Sequence, residues 1–167
     1  MLVSARPAFP FEQSIPPAMP EGRLSLYNVH NKERLSVVYR NGGQVYDPEA
    51  LKAINWLMRC HYTNQEIEMD IRTIEFLNMV DKNLGCGNVI HVISGYRSPL
   101  YNELLCHEGH GVARNSLHMQ GKAVDILIKG KELYKVHQVA LNLRYGGVGY
   151  YPHTGFVHID SGNFRAW

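Results

Sequence analysis

The sequence predicts a single α+β domain, in which a small antiparallel sheet carries helices on one face and a polar site on the other. In the second half of the chain, short β-type runs recur between glycines. Before them lie two stretches with apolar residues at every third or fourth position, the spacing of amphipathic helices. The chain has 167 residues, of which 45% are hydrophobic and 19% charged, so it is long and apolar enough for one packed core.

The first part of the chain predicts an extended arm followed by a β-hairpin. Residues 1–22 contain five of the eight prolines, and proline removes a backbone donor and disfavours helix. We therefore interpret 1–22 as an N-terminal arm or linker and 23–167 as one domain. Within that domain, the runs 24–29 and 35–39 flank a polar tetrapeptide and read as paired strands.

Four helices are predicted along the remaining chain. Asp47 followed by Pro48 is a typical helix start, because the carboxylate caps free N–H groups and proline fits the first turn. A second periodic stretch spans 66–83 and ends at glycines. A short helix near 99–105 and another near 131–143 lie among the β-type runs.

Composition excludes several classes of function. With 17 basic and 15 acidic residues the formal charge is +2, which is not the footprint of a nucleic-acid-binding protein. No apolar run approaches the roughly 20 residues of a membrane-spanning helix. No export signal is visible, because the start at residues 1–7 lacks an apolar core. Cys60, Cys86 and Cys106 have no CxxC spacing, and their pairing is left open.

Two of the predicted strands carry metal-ligand residues on one face. The strands are placed at 89–94, 123–128, 148–151 and 156–160. Side chains alternate along a strand, so Asp125 lies opposite its β-branched neighbours, and His158 lies opposite Val157 and Ile159. Together with His118, these residues offer two nitrogens and one oxygen. Such a set leaves the fourth tetrahedral position of Zn²⁺ open for water, as in catalytic zinc sites.

Several motifs resemble one family of zinc peptidases. The run Ser116-x-His118-x-x-Gly121-x-Ala123-x-Asp125 resembles the zinc signature of the D-Ala-D-Ala metallopeptidases, which are allied to lysostaphin-type enzymes and the hedgehog amino-terminal domain. The segments 93–98, 146–152 and 156–162 and the ending Arg165-x-Trp167 are similar to the murein endopeptidase K-like branch. The similarity extends from about Leu24 to the last residue.

The resemblance implies a zinc peptidase that cleaves stem-peptide cross-links of peptidoglycan, with His118, Asp125 and His158 as zinc ligands. Two alternatives stay open, namely a carboxypeptidase that releases D-amino acids and a non-catalytic module that binds zinc or cell wall. Peptidoglycan peptides as the partner imply a periplasmic or extracytoplasmic location. The bond that is cut, the oligomeric state and the export route are not specified by the sequence.

The resemblance also implies substrate-binding residues around the ligands. Arg97 matches the arginine that holds a substrate carboxylate or polarises the scissile carbonyl, and its planar fork suits bidentate contact. Ser116 either lines the same pocket or caps the loop that leads to His118. Tyr150 is either part of the wall of the substrate groove or an ordinary residue of the sheet, in which tyrosine is common.

The general base has two candidates. Many relatives carry a glutamate or histidine just before the last zinc ligand, but Gly155 and Phe156 occupy those positions here. Asp160 shares the strand face of His158, so it is expected either to accept a proton or to orient a ligating histidine. His153 is the other candidate.

Overall fold

The computed structural model describes residues 21–109 and 112–167, so the predicted arm lies outside the described residues up to position 20. The described strands are β1 (Gly22–Asn28), β2 (Arg34–Arg40), β3 (Val89–Ser94), β4 (Ala123–Ile128), β5 (Gly147–Tyr151), β6 (Phe156–Asp160) and β7 (Arg165–Ala166). The described helices are α1 (Pro48–Leu57), α2 (Ile71–Asn83), α3 (Pro99–His107) and α4 (Leu133–Leu143), and a 3₁₀ turn spans Leu117–Gln120. Strand β1 therefore starts inside the segment that was predicted as arm.

The sheet is larger than predicted and it is mixed. Its seven strands run in the order β2-β1-β3-β4-β6-β5-β7. Neighbours β1 and β3 are parallel, as are β5 and β7, whereas the other pairs are antiparallel. The prediction of a small antiparallel sheet is therefore wrong in size and in pairing, although the α+β class is confirmed. The long connection through α1 and α2 lets β3 lie parallel to β1, because parallel strands need a crossover.

One predicted helix starts later than expected. The side chain of Asp47 accepts hydrogen bonds from the backbone N–H of Glu49 at 2.9 Å, so the predicted start of α1 is confirmed. Helix α2 begins at Ile71 instead of residue 66, because Asp70 caps it through Arg72 N–H at 2.8 Å. The preceding residues 66–70 have no regular secondary structure, and Met69 N–H donates to Asn55 Oδ1 of α1 at 3.0 Å.

The two faces of the sheet have different roles. On β4 and β6 the aliphatic residues Val124, Ile126, Val157 and Ile159 are buried in one hydrophobic core. Helices α1, α2 and α4 contribute to the same core. The alternation predicted from the sequence is confirmed, since Asp125 pairs with His158 in the cross-strand register between those aliphatic pairs.

Cys60, Cys86 and Cys106 are free thiols. Among the described residues, no helix combines the length and apolar character that crossing a bilayer requires.

Candidate metal centre

Three predicted ligands converge on one point of the sheet. Asp125 lies on β4, His158 faces it directly from β6, and His118 lies in the 3₁₀ turn. The Nδ1 atom of His158 lies 2.8 Å from Asp125 Oδ1, and His118 Nε2 lies 3.3 Å from the same oxygen. The two ring nitrogens are 3.3 Å apart. These residues therefore form a compact candidate metal group, which is mostly buried.

The hydrogen bonds of the ring nitrogens that face away from the group indicate which imidazole nitrogens are available to bind a cation. His118 Nδ1 lies 2.8 Å from the Gly95 carbonyl oxygen, which can only accept a hydrogen bond, so Nδ1 carries the proton. His158 lies between two carboxylates, with Nε2 3.0 Å from an oxygen of Asp160 and Nδ1 2.8 Å from Asp125 Oδ1, so Nδ1 can bind a cation in the tautomer that keeps its proton on Nε2. The lone pairs of His118 Nε2 and His158 Nδ1 then converge with an oxygen of Asp125 on one point. This donor set fits a divalent cation.

The electrostatics of the group also favour a positive charge. Burial on its own would raise the pKa of Asp125, but the charges and hydrogen bonds of His118 and His158 outweigh it and hold that pKa well below its usual range. Burial on its own would lower the pKa of His158, but its hydrogen bonds to Asp125 and Asp160 outweigh burial and raise this pKa above its ordinary value. In the absence of metal, a proton would therefore supply the charge that the carboxylates require.

Asp160 is fixed from every side. Its Oδ1 accepts hydrogen bonds from Gly162 N–H at 2.8 Å and from Gly147 N–H at 3.3 Å. The guanidinium of Arg165 contacts both oxygens, at 3.0 and 2.7 Å. Burial opposes ionisation, but the bonds from His158 and Arg165 lower the pKa of Asp160 to about 2. The imidazole ring separates this carboxylate from the donor atoms, so its position suits orienting His158.

Substituting Asp160 with asparagine is expected to weaken metal binding by about 10- to 100-fold, because the amide no longer enforces one tautomer of His158. In the metal-free protein we expect a loss of about 1–2 kcal/mol in the free energy of unfolding near neutral pH, allowing for solvent screening. The folded-state pKa of about 2 lies below the unfolded value of 3.8, so this contribution exists above pH 3.8 and disappears as pH falls towards 2.

Metal titration and denaturant unfolding at several pH values measure both effects. Asp81→Asn is the matched control, since Asp81 is a buried carboxylate that bonds Gly87 and Asn88 N–H at 3.0 and 2.9 Å, remote from the donor atoms. Equal metal affinity in Asp160→Asn and the native chain would contradict the orienting role.

Arg97 follows β3 and lies beside the group with unused donor capacity. It is 7% exposed, and its Nη2 lies 3.6 Å from Asp125 Oδ2. Its other contacts are long, at 3.4 Å to Asn102 Oδ1 and 3.5 Å to Ser94 Oγ. Its Nε has no hydrogen-bond partner among the described residues. A buried guanidinium held this loosely can receive an oxyanion without first breaking strong bonds.

The other predicted site residues have different surroundings. The hydroxyl of Ser116 accepts the N–H of His118 at 3.3 Å, which is the capping alternative. Tyr150 lies on the core face, where its ring stacks on His137 at 4.8 Å, so the structure does not bring it to the donor atoms. His153 is exposed in the turn between β5 and β6, beyond the strand positions that face the group.

Sequence reasoning missed one neighbour of the group. The ring of Trp167 lies 5.4 Å from that of His158, centroid to centroid. Arg165 and Trp167 come from β7 and its end, and they cover Gly147 and Gly149 on β5. The alternation of two glycines on the face that carries His158 was the available signal, because it leaves room for side chains from a neighbouring strand.

One buried and one partly buried imidazole lie with a buried carboxylate beside a buried guanidinium, an arrangement typical of the metal-dependent hydrolases. Comparison with known proteins identifies the family to which the chain belongs within this class. The family model for "peptidoglycan L,D-endopeptidase MepK" matches residues 17–167, and the chain belongs to this family of metallopeptidases. The resemblance noted in the sequence is thereby confirmed.

Two relatives illustrate the extent of the similarity. The probable peptidoglycan L,D-endopeptidase MepK of Haemophilus influenzae (strain ATCC 51907 / DSM 11121 / KW20 / Rd) is 41% identical over 145 residues, which are 86% of this chain and 77% of the relative. The peptidoglycan L,D-endopeptidase MepK of Escherichia coli (strain K12) is 37% identical over 144 residues, which are 86% of this chain and 79% of the relative.

Proposed function

We propose that this protein is a metal-dependent peptidoglycan L,D-endopeptidase, which hydrolyses stem-peptide cross-links. The observation that carries the proposal is the convergence of two imidazole nitrogens and a carboxylate oxygen in a chain of this family. The relatives are named endopeptidases, which cut internal bonds, so we favour this activity over a carboxypeptidase that releases terminal D-amino acids. The L,D designation describes a bond between an L-configured and a D-configured centre.

We propose zinc as the metal and His118, Asp125 and His158 as its three ligands. Two imidazoles and one carboxylate are a common ligand set of catalytic zinc, with one position left open. When bound there, zinc supplies a water of lowered pKa and polarisation of the scissile carbonyl.

The protein's own side chains then hold the substrate and the ligands in place. Arg97 would donate to the carbonyl oxygen as negative charge develops on it, or to a substrate carboxylate. Asp160 would keep the proton of His158 on Nε2, and Ser116 would hold the turn that presents His118. Both oxygens of Asp160 are engaged and His153 lies in an exposed turn, so we assign Asp160 the orienting role and give His153 no catalytic one.

Peptidoglycan as substrate suggests where the protein acts. The cell wall lies outside the cytoplasmic membrane, so we propose a periplasmic or other extracytoplasmic location. Fractionation of cells that produce the full natural protein, with detection by antibody, tests this location directly.

Treating the purified protein with a chelator is expected to reduce hydrolysis of cross-linked muropeptides by about 100-fold or more, and zinc is expected to restore it. Elemental analysis gives the metal content, and mass spectrometry of the products identifies the cleaved bond. Full activity after removal of the metal would contradict the mechanism. Free amino acids as the only product would indicate the carboxypeptidase, and metal binding without any product would indicate the non-catalytic module.

A further inference from the structure

Three aromatic side chains form a wall beside His158, on the same face of the sheet as the donor atoms. We call Trp167, Tyr151 and Phe156 the aromatic wall. The rings of Tyr151 and Phe156 stack at 4.6 Å, and the indole N–H of Trp167 donates to the Tyr151 hydroxyl at 2.7 Å. Trp167 is 49% exposed and Tyr151 is 36% exposed, so ring surface remains available for a ligand.

The position of the indole is fixed by its surroundings. A Cβ on Gly149 would lie 2.8 Å from ring atoms of both Trp167 and Tyr151, so only glycine leaves the indole its place. The backbone of Trp167 bonds Val148 and Tyr150 at 3.2 and 3.0 Å. The Arg165 guanidinium lies 4.9 Å from the indole centroid, on a ring face. A half-exposed tryptophan that is held this firmly is preorganised for contact.

The sheet order places the aromatic wall and Arg97 on opposite sides of the candidate metal group. Asp125 is on β4 and His158 on β6, and these two strands are neighbours in the sheet. Arg97 follows β3, on the far side of β4, whereas Trp167 follows β7, on the far side of β6. A peptide that crosses the donor atoms between these flanks meets a cation at one end and apolar rings at the other.

We propose that the aromatic wall is a substrate subsite, which receives the aliphatic side chain of the residue next to the scissile bond. This inference rests on the proposed function. In peptidoglycan the stem peptide separates a cross-link from the sugar rings, and the indole lies only 5.4 Å from the His158 ring. A group at this distance from the candidate metal group belongs to the peptide and not to the glycan. Aromatic faces bind such methylene and methyl groups by burying apolar surface.

Trp167→Ala is expected to raise KM for a cross-linked stem-peptide dimer by about tenfold, with kcat within about twofold, because apolar contact to the bound substrate is lost. Trp167→Phe is expected to retain most of the affinity. The bound metal is expected to stay unchanged in both. Trp56→Ala is the matched control, since Trp56 is 46% exposed on α1 and packs against Arg59 instead. Gly149→Ala, which displaces the indole while leaving it in the chain, is expected to raise KM in the same way.

A binding measurement separates this inference from the proposed function. Trp56 and Trp167 are the two tryptophans of the chain, so Trp56→Phe leaves Trp167 as the single fluorescent reporter. Titration of that variant with the dimer, in the presence of a chelator, is expected to shift its emission. A native protein that cleaves the dimer while Trp167→Ala keeps the native KM would overturn the subsite. So would a KM increase confined to substrates that carry glycan. If the native protein cleaves nothing, the proposed function fails, and the titration still decides whether the aromatic wall binds the peptide.

Discussion

Replacing His118 with alanine is expected to remove the bound metal and to lower peptidoglycan hydrolysis by roughly 10³-fold or more, because the remaining two donors leave the ion incompletely held. The loss of one imidazole also removes one of the two partners that hold the pKa of Asp125 below its usual range. Elemental analysis and initial rates on cross-linked muropeptides measure the two effects.

The melting temperature with and without zinc distinguishes loss of the metal site from misfolding of the variant. Added zinc is expected to raise the melting temperature of the native protein, since a ligand that binds only the folded state stabilises it. His118→Ala is expected to lose this increase while it keeps the melting temperature of the metal-free native chain within a few degrees. His91→Ala is the matched control, because His91 lies on β3 and packs edge-on against Tyr27. Native metal content in His118→Ala would rule out the assigned ligand set.

Arg97→Lys is expected to lower kcat by about 100-fold while the metal content stays native. The lysine keeps the charge but loses the planar fork, so it cannot give two parallel hydrogen bonds to an oxyanion. Steady-state kinetics on the stem-peptide dimer measure the change. Arg59→Lys provides the comparison, since Arg59 is equally buried but pairs with Glu33 at 2.7 Å, away from the group. A kcat within twofold of native would show that Arg97 only supports the structure.

The sequence pattern together with the family resemblance predicted which three residues come together in the candidate metal group. In β4 and β6 a single ligand-type residue stands between aliphatic ones, and this period of two allows only one assignment of faces. The bounds predicted for β3, β4 and β6 are the observed ones for the same reason. His118 could be added because a glycine at position 121, with φ of 67°, turns the chain back towards the strand.

Other features depend on contacts between residues that are distant along the chain. The parallel pairing of β1 with β3 leaves no local pattern, and neither does the two-residue strand β7 that brings Trp167 to the site. The late start of α2 follows from contacts outside the helix. Met69 N–H donates to Asn55 Oδ1 at 3.0 Å, and Asp70 N–H donates to the Gly121 carbonyl at 2.9 Å. The periodicity of residues 66–70 is therefore overridden by these bonds.

Because core and site residues alternate along β6, the packing of the core fixes the positions of His158 and Asp160. Sliding this strand by one position against β4 would turn His158 and Asp160 towards the hydrophobic core, and Val157 and Ile159 away from it. In that core the two groups would lose the hydrogen bonds that they make in the native register, and this cost forbids the slip. Substitutions that loosen the core beneath β6 are thus expected to misalign the donor atoms well before the domain unfolds. Catalytic activity would then decrease before the loss of packing is seen as a loss of folded protein.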